Sequence, residues 1–130
     1  MVKFRKIYIE NTIYSLTNKR LNLDEEAFHY GLNQVKKFKS HSIEINNLIT
    51  YEECQWYLLN LDFEKLQNLL EEWNVSTSDP IWMFRKASLL LELNLEDEAH
   101  HLMTQGFTII KKILIILMIS PTPLEKDGHY

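Results

Sequence analysis

The chain contains little glycine, proline or cysteine. Its 130 residues include three glycines, three prolines and one cysteine. A sheet protein of this length needs more turn-forming residues, so this scarcity argues against a β fold. A lone cysteine excludes an internal disulfide, and Cys54 lies in a helical pattern where we expect a small buried packing residue. With no disulfide to form, a reducing, cytoplasmic location is the default expectation.

A strong charge of one sign is also lacking. The net charge is −4 at pH 7, and 25% of the residues are charged against 45% that are hydrophobic. This balance is typical of a globular domain and argues against disorder. A DNA-binding domain usually has a basic face, so we do not expect nucleic acid as a partner. The basic residues 1–6 lack the apolar core and cleavage site of a secretory signal.

No uninterrupted apolar run has the length of a membrane span. The most apolar segment, Ile109–Ile119, has nine apolar residues and is interrupted by Lys111 and Lys112. A span needs about 20 apolar residues, and extending this segment reaches Pro121 almost at once. The sequence therefore predicts no membrane span and favours a last helix that buries its apolar side. Residues 120–130 change to a polar composition, which predicts a C-terminal tail.

What the chain does have is a ten-residue segment that occurs twice. Residues 21–30 read LNLDEEAFHY, and residues 93–102 read LNLEDEAHHL. Six of the ten positions are identical, and the offset of 72 residues leaves room for two units of about 36. Repeats of this length usually build a surface that binds a partner, not a catalytic pocket.

Apolar residues elsewhere recur at intervals of three and four, which is the spacing of amphipathic helices. Asn22, Asp62 and Asn94 are predicted N-caps, and Thr50 with Glu53 has the spacing of a capping box. Residues 39–49 are open between a connection and an extension of the second helix. The predicted helices lie near residues 4–20, 23–38, 50–60, 62–74, 80–92 and 95–117.

These signals predict an all-α fold of about three antiparallel helix pairs. Residues 1–119 would form one helical-repeat domain, with units near 4–38, 48–74 and 80–117, and residues 120–130 the polar tail. The duplicated segment aligns Ala27 with Ala99, and an offset of 33 aligns Leu66 with Ala99. Small residues are expected where the two helices of a pair approach closely.

The third unit resembles a tetratricopeptide repeat. Ala87 and Ala99 fall on the two small positions of that family, 12 residues apart, and Leu90 and Met103 on large apolar positions. The resemblance implies a short right-handed array of helix pairs. In addition, the segment from Asp79-Pro80-Ile81-Trp82 to Ala99 is similar to helical-repeat tails of bacterial defence proteins that carry a sirtuin-like NADase domain elsewhere. The chain has no Gly-rich nucleotide-binding loop, so no enzymatic residue is carried over.

Two Glu-x-x-His pairs, Glu26 with His29 and Glu98 with His101, are similar to ligands of di-iron carboxylate bundles, for which Glu53 and Glu92 would be the further candidates. At 100° per residue, however, each Glu-x-x-His pair points away from the side of its helix that carries the alanine shared by both copies, Ala27 or Ala99. We therefore expect the two Glu-x-x-His pairs to lie on the surface. We also expect that the protein binds no metal or cofactor and is not an enzyme.

The predicted function is a protein–protein interaction module. The tetratricopeptide resemblance implies a concave face, formed by the first helix of each pair, that binds a peptide or a partner helix. The alternative is a truncated or fragmentary part of a larger, defence-related helical-repeat protein, acting structurally or by self-association through Ile109–Ile119. The residues assigned to the concave face are Tyr51, Gln55, Phe84, Ser88 and Glu92.

Overall fold

The protein is all-α, as predicted. A computed structural model describes the backbone of residues 2–119 and the side chains of residues 5–119. Within this range 81% of the chain is helical, in six helices and without a strand. The predicted tail, residues 120–130, lies outside the described residues. The helices are α1 (Val2–Leu21), α2 (Glu25–Lys36), α3 (Ile43–Leu59), α4 (Phe63–Glu72), α5 (Pro80–Glu92) and α6 (Glu96–Ile119).

The described residues form two compact units, which are separated after Ser78. In the first unit α1 packs on α2, α3 packs on α4, and α3 also contacts α1 and α2. In the second unit α5 packs on α6. Consecutive helices therefore pack as pairs, because the short links leave each amphipathic helix next to the one that follows.

The core of the first unit is formed by the inner faces of α1, α2 and α3. The Phe28 and Trp56 rings are stacked at its centre, with centroids 4.4 Å apart and planes 11° apart. At Gly31 a Cβ would lie 2.6 Å from the Leu16 side chain, so α1 and α2 approach as closely as a glycine allows. The other buried residues of this core are Ile9, Ile13, Leu32, Val35, Ile45 and Ile49.

In each of the three pairs, the two helices are joined by the same kind of turn. Leu23, Leu61 and Asn94 follow the first helix of each pair and have φ of 56°, 57° and 60°. A residue in this left-handed conformation lets the next N–H donate back to the carbonyl five residues earlier, which closes the helix end. These hydrogen bonds run from Asp24 to Lys19 at 3.0 Å, from Asp62 to Tyr57 at 2.9 Å, and from Leu95 to Leu90 at 3.0 Å.

This turn corrects the register of the duplicated segment by one residue. When the two turns are aligned, Leu23 is equivalent to Asn94 and Glu25 to Glu96, an offset of 71 residues rather than 72. Phe28, not Ala27, is therefore the structural counterpart of Ala99, and both are fully buried. Leu66 is fully buried at the matching site of α4, as the offset of 33 predicted. A fully buried aromatic ring thus occupies a site where the sequence predicted a small residue.

Two of the predicted caps are wrong. Asn94 adopts the left-handed turn conformation instead of capping α6. Asp24, not Asn22, caps α2, because its carboxylate accepts the N–H of Ala27 at 3.2 Å. Asp62 does cap α4 as predicted, accepting the N–H of Lys65 at 3.4 Å.

The predicted start of the third helix is also wrong. Thr50 and Glu53 lie inside α3, which begins at Ile43, and Ser42 caps it by accepting the N–H of Ile45 at 3.1 Å. Residues 43–49 therefore belong to α3, whereas the sequence left them open between a connection and an extension of the second helix. Asp79 caps α5, and Pro80 lies in the first turn of that helix, where its missing N–H is tolerated.

The second unit is a helix pair of unequal lengths. α5 has 13 residues and α6 has 24. The Phe84 and Phe107 ring centroids lie 5.0 Å apart, and a Cβ at Gly106 would lie 2.9 Å from Cζ of Phe84. Gly106 is thus the point at which α6 admits the Phe84 ring, since any larger residue would displace it.

Candidate binding surface

The predicted surface residues of the first unit share one side of α3. Tyr51 and Gln55 are four residues apart, which places them one above the other on a helix. Both side chains are half-buried. An aromatic ring beside an amide is a combination that can supply apolar contact and an oriented hydrogen bond to a peptide.

The predicted surface residues of the second unit follow one side of α5 at the same spacing. Ser88 and Glu92 are exposed, whereas Phe84 is half-buried against Phe107 and Gly106. Phe84 therefore stabilises the α5–α6 pair through part of its ring. The assignment of these residues to a partner surface remains a prediction.

The residues considered as metal ligands lie in several environments. Glu26, Glu98 and His101 are exposed. His29 is about half-exposed, and its ring lies edge-on to Trp56 with centroids 5.5 Å apart. In the part of the chain that the structure describes, no group of three or more His, Cys, Asp or Glu side chains could hold a metal ion.

Glu53, a further candidate metal ligand, is buried and already accepts two hydrogen bonds. Its carboxylate accepts a hydrogen bond from Nζ of Lys36 at 2.8 Å and another from the Tyr57 hydroxyl at 2.9 Å. Burial, together with the hydrogen bond to Glu53 and its charge, raises the pKa of Tyr57 to about 12. Tyr57 is thus held as a neutral donor to a charged acceptor, which is the stronger class of hydrogen bond.

The neighbouring carboxylate, Glu52, has a separate set of partners on α1. It accepts a hydrogen bond from the Thr17 hydroxyl at 2.7 Å, and Nε of Arg20 donates to it at 2.9 Å. Glu52 therefore joins α3 to α1, while Glu53 joins α3 to α2 through Lys36. Each buried charge is paired, as a protein interior requires.

A third buried polar side chain of the first unit is that of Asn47. Asn47 is fully buried, accepts the indole N–H of Trp73 at 2.9 Å, and donates to the Ser78 hydroxyl at 2.8 Å. This amide ties α3 to the segment that follows α4. Its bonds explain how a polar side chain is kept inside the core.

The second half of α6 carries the most exposed apolar surface of that helix. Residues 110–119 are all exposed, and Met118 and Ile119 are 80% and 74% exposed. By length and composition alone, α6 is one helix among the described residues that could cross a membrane, and almost none of its apolar window is buried. One such helix is weak evidence, so the absence of a membrane span stays a prediction.

The sequence did not indicate the buried glutamates or Asn47, and it predicted that the last helix buries its apolar side, whereas residues 110–119 of α6 are all exposed. Glu52 and Glu53 stand together in the mostly apolar stretch from Ile49 to Leu59, which was a usable signal of paired burial. Nothing in the sequence around Glu52 and Glu53 identifies the residues that pair with them. Cys54 is buried, as predicted, and the three tryptophans Trp56, Trp73 and Trp82 are buried as well.

Comparison of the chain with protein-family models, with curated proteins and with solved structures found no match. The resemblances to tetratricopeptide repeats and to the tails of sirtuin-like defence proteins therefore stay predictions.

Proposed function

We propose that the protein is a non-catalytic interaction module that binds a peptide or partner helix on the first helices of its pairs. The observation that carries this proposal is the threefold use of one helix–turn–helix design, with the left-handed turn at Leu23, Leu61 and Asn94. Units built to one design stack into arrays whose exposed face is extended and suited to holding another chain.

The proposed arrangement of the three pairs is a short tetratricopeptide-like, right-handed stack. It rests on the positions of Ala87 and Ala99, both fully buried, where that family has small residues. In such a stack the first helices line the concave face. Tyr51 and Phe84 would then be the apolar anchors, and Gln55, Ser88 and Glu92 would orient the bound chain.

The chemistry of the described residues supports binding over catalysis. The buried carboxylates Glu52 and Glu53 are each committed to a cation and a hydroxyl. A general base or nucleophile needs a side chain that reaches a substrate, and these two face other helices. The groove between α5 and α6, about 390 Å³ and lined by Lys86 and His101 over Leu90, is an open surface feature.

The test is an affinity comparison on the full chain. Peptides are selected from a displayed library, and the binding of an enriched peptide is measured by isothermal titration calorimetry. We expect a variant with four alanine substitutions on the proposed face to bind at least tenfold more weakly, because loss of the Tyr51 anchor costs about 1–2 kcal/mol and the other three changes remove groups that orient the peptide. Phe84 is left intact because it packs on Gly106. The variant is Tyr51→Ala, Gln55→Ala, Ser88→Ala and Glu92→Ala.

The matched control places similar changes on second helices, again in two pairs four residues apart. Tyr30, Gln34, Gln67 and Glu71 are exposed on α2 and α4. Their alanine variant should bind the peptide as the unmodified chain does. Equal affinity of all three proteins, or a loss confined to the control, would show that the peptide binds elsewhere and would overturn the assignment.

A structural role through self-association is the second candidate function. The exposed apolar surface of α6 from Ile113 to Ile119 favours it. The two functions are compatible, since Tyr51, Gln55, Ser88 and Glu92 lie on other helices.

A further inference from the structure

We draw no further inference here: the strongest candidate, the exposed apolar surface of α6 from Ile113 to Ile119, carries none, because nothing in the described residues shows what covers it.

Discussion

Two adjacent carboxylates in α3 place negative charge inside the first unit, and each depends on a different helix for its partner. Glu52 is held by Arg20 and Thr17 of α1, and Glu53 by Lys36 of α2 and Tyr57. Burying a carboxylate costs several kcal/mol unless it is paired and hydrogen-bonded. The two glutamates therefore stabilise this packing of α1 and α2 on α3, because it pairs both charges.

Tyr57 makes this arrangement sensitive to high pH. Its pKa is raised to about 12 in the folded chain, against 10.0 for an ordinary tyrosine. The contribution of the neutral hydroxyl to stability is therefore complete below pH 10 and is lost as the pH rises towards 12. We expect Tyr57→Phe to lower the free energy of unfolding by about 1 kcal/mol at pH 8.

That difference between the unmodified chain and Tyr57→Phe should shrink between pH 10 and 12, measured by urea unfolding at several pH values. The absorbance of ionised tyrosine should also show one late-titrating group that the variant lacks. A constant difference across this range would contradict the proposed hydrogen bond from Tyr57 to Glu53.

The sequence could predict that Cys54 and the tryptophans are buried, because apolar side chains at helical spacing are buried wherever the helix packs. It could not predict the partners of Glu52, which lie 32 and 35 residues away on α1. Such pairs depend on how the helices cross, and spacing along one helix carries no information about that.

At the scale of the helices, the left-handed turns are the feature that the three pairs share. Leu23 and Leu61 adopt a conformation that costs a residue with a Cβ about 1–2 kcal/mol. Their conformation is imposed by the hydrogen bonds that close α1 and α3, and glycine is the usual residue at this position.

Replacement of one such leucine by glycine should therefore stabilise the protein. We expect Leu23→Gly to raise the free energy of unfolding by about 0.5–1 kcal/mol, because relief of strain exceeds the added entropy of the unfolded chain. Leu21→Gly is the control, since Leu21 is equally exposed, at 67% against 66%, but ends α1 in helical conformation. It should destabilise by about 1 kcal/mol in thermal unfolding. Equal effects of the two changes would contradict a strained turn at Leu23.

The existence of all six helices could be predicted from the apolar periodicity, whereas the residues at which they begin and end were predicted less accurately. The start of α3 was missed because Ile43, Ile45 and Asn47 do not follow a simple helical stripe. Asn47 is a core residue only because Trp73 and Ser78 bond its amide. The one-residue shift in the duplicated segment was missed for a similar reason. Phe28 takes the buried site because it stacks on Trp56 of a different helix.

At the scale of the whole molecule, two proposed surfaces would have different functions. The apolar segment Ile109–Ile119 of α6 would serve self-association, and the first helices of the pairs would hold a partner. Dimerisation would present two peptide-binding faces in one assembly, which raises the apparent affinity for partners that carry two binding segments.

The most direct test of the binding face is hydroxyl-radical footprinting of the unmodified chain with and without a selected peptide. Protection of side chains from oxidation reports which aromatic residues the peptide covers. We predict that Tyr51 and Phe84 on the first helices become protected, while Tyr30 on α2, which is 68% exposed, stays as reactive as before. Protection of Tyr30 with no change at Tyr51 and Phe84 would contradict the account.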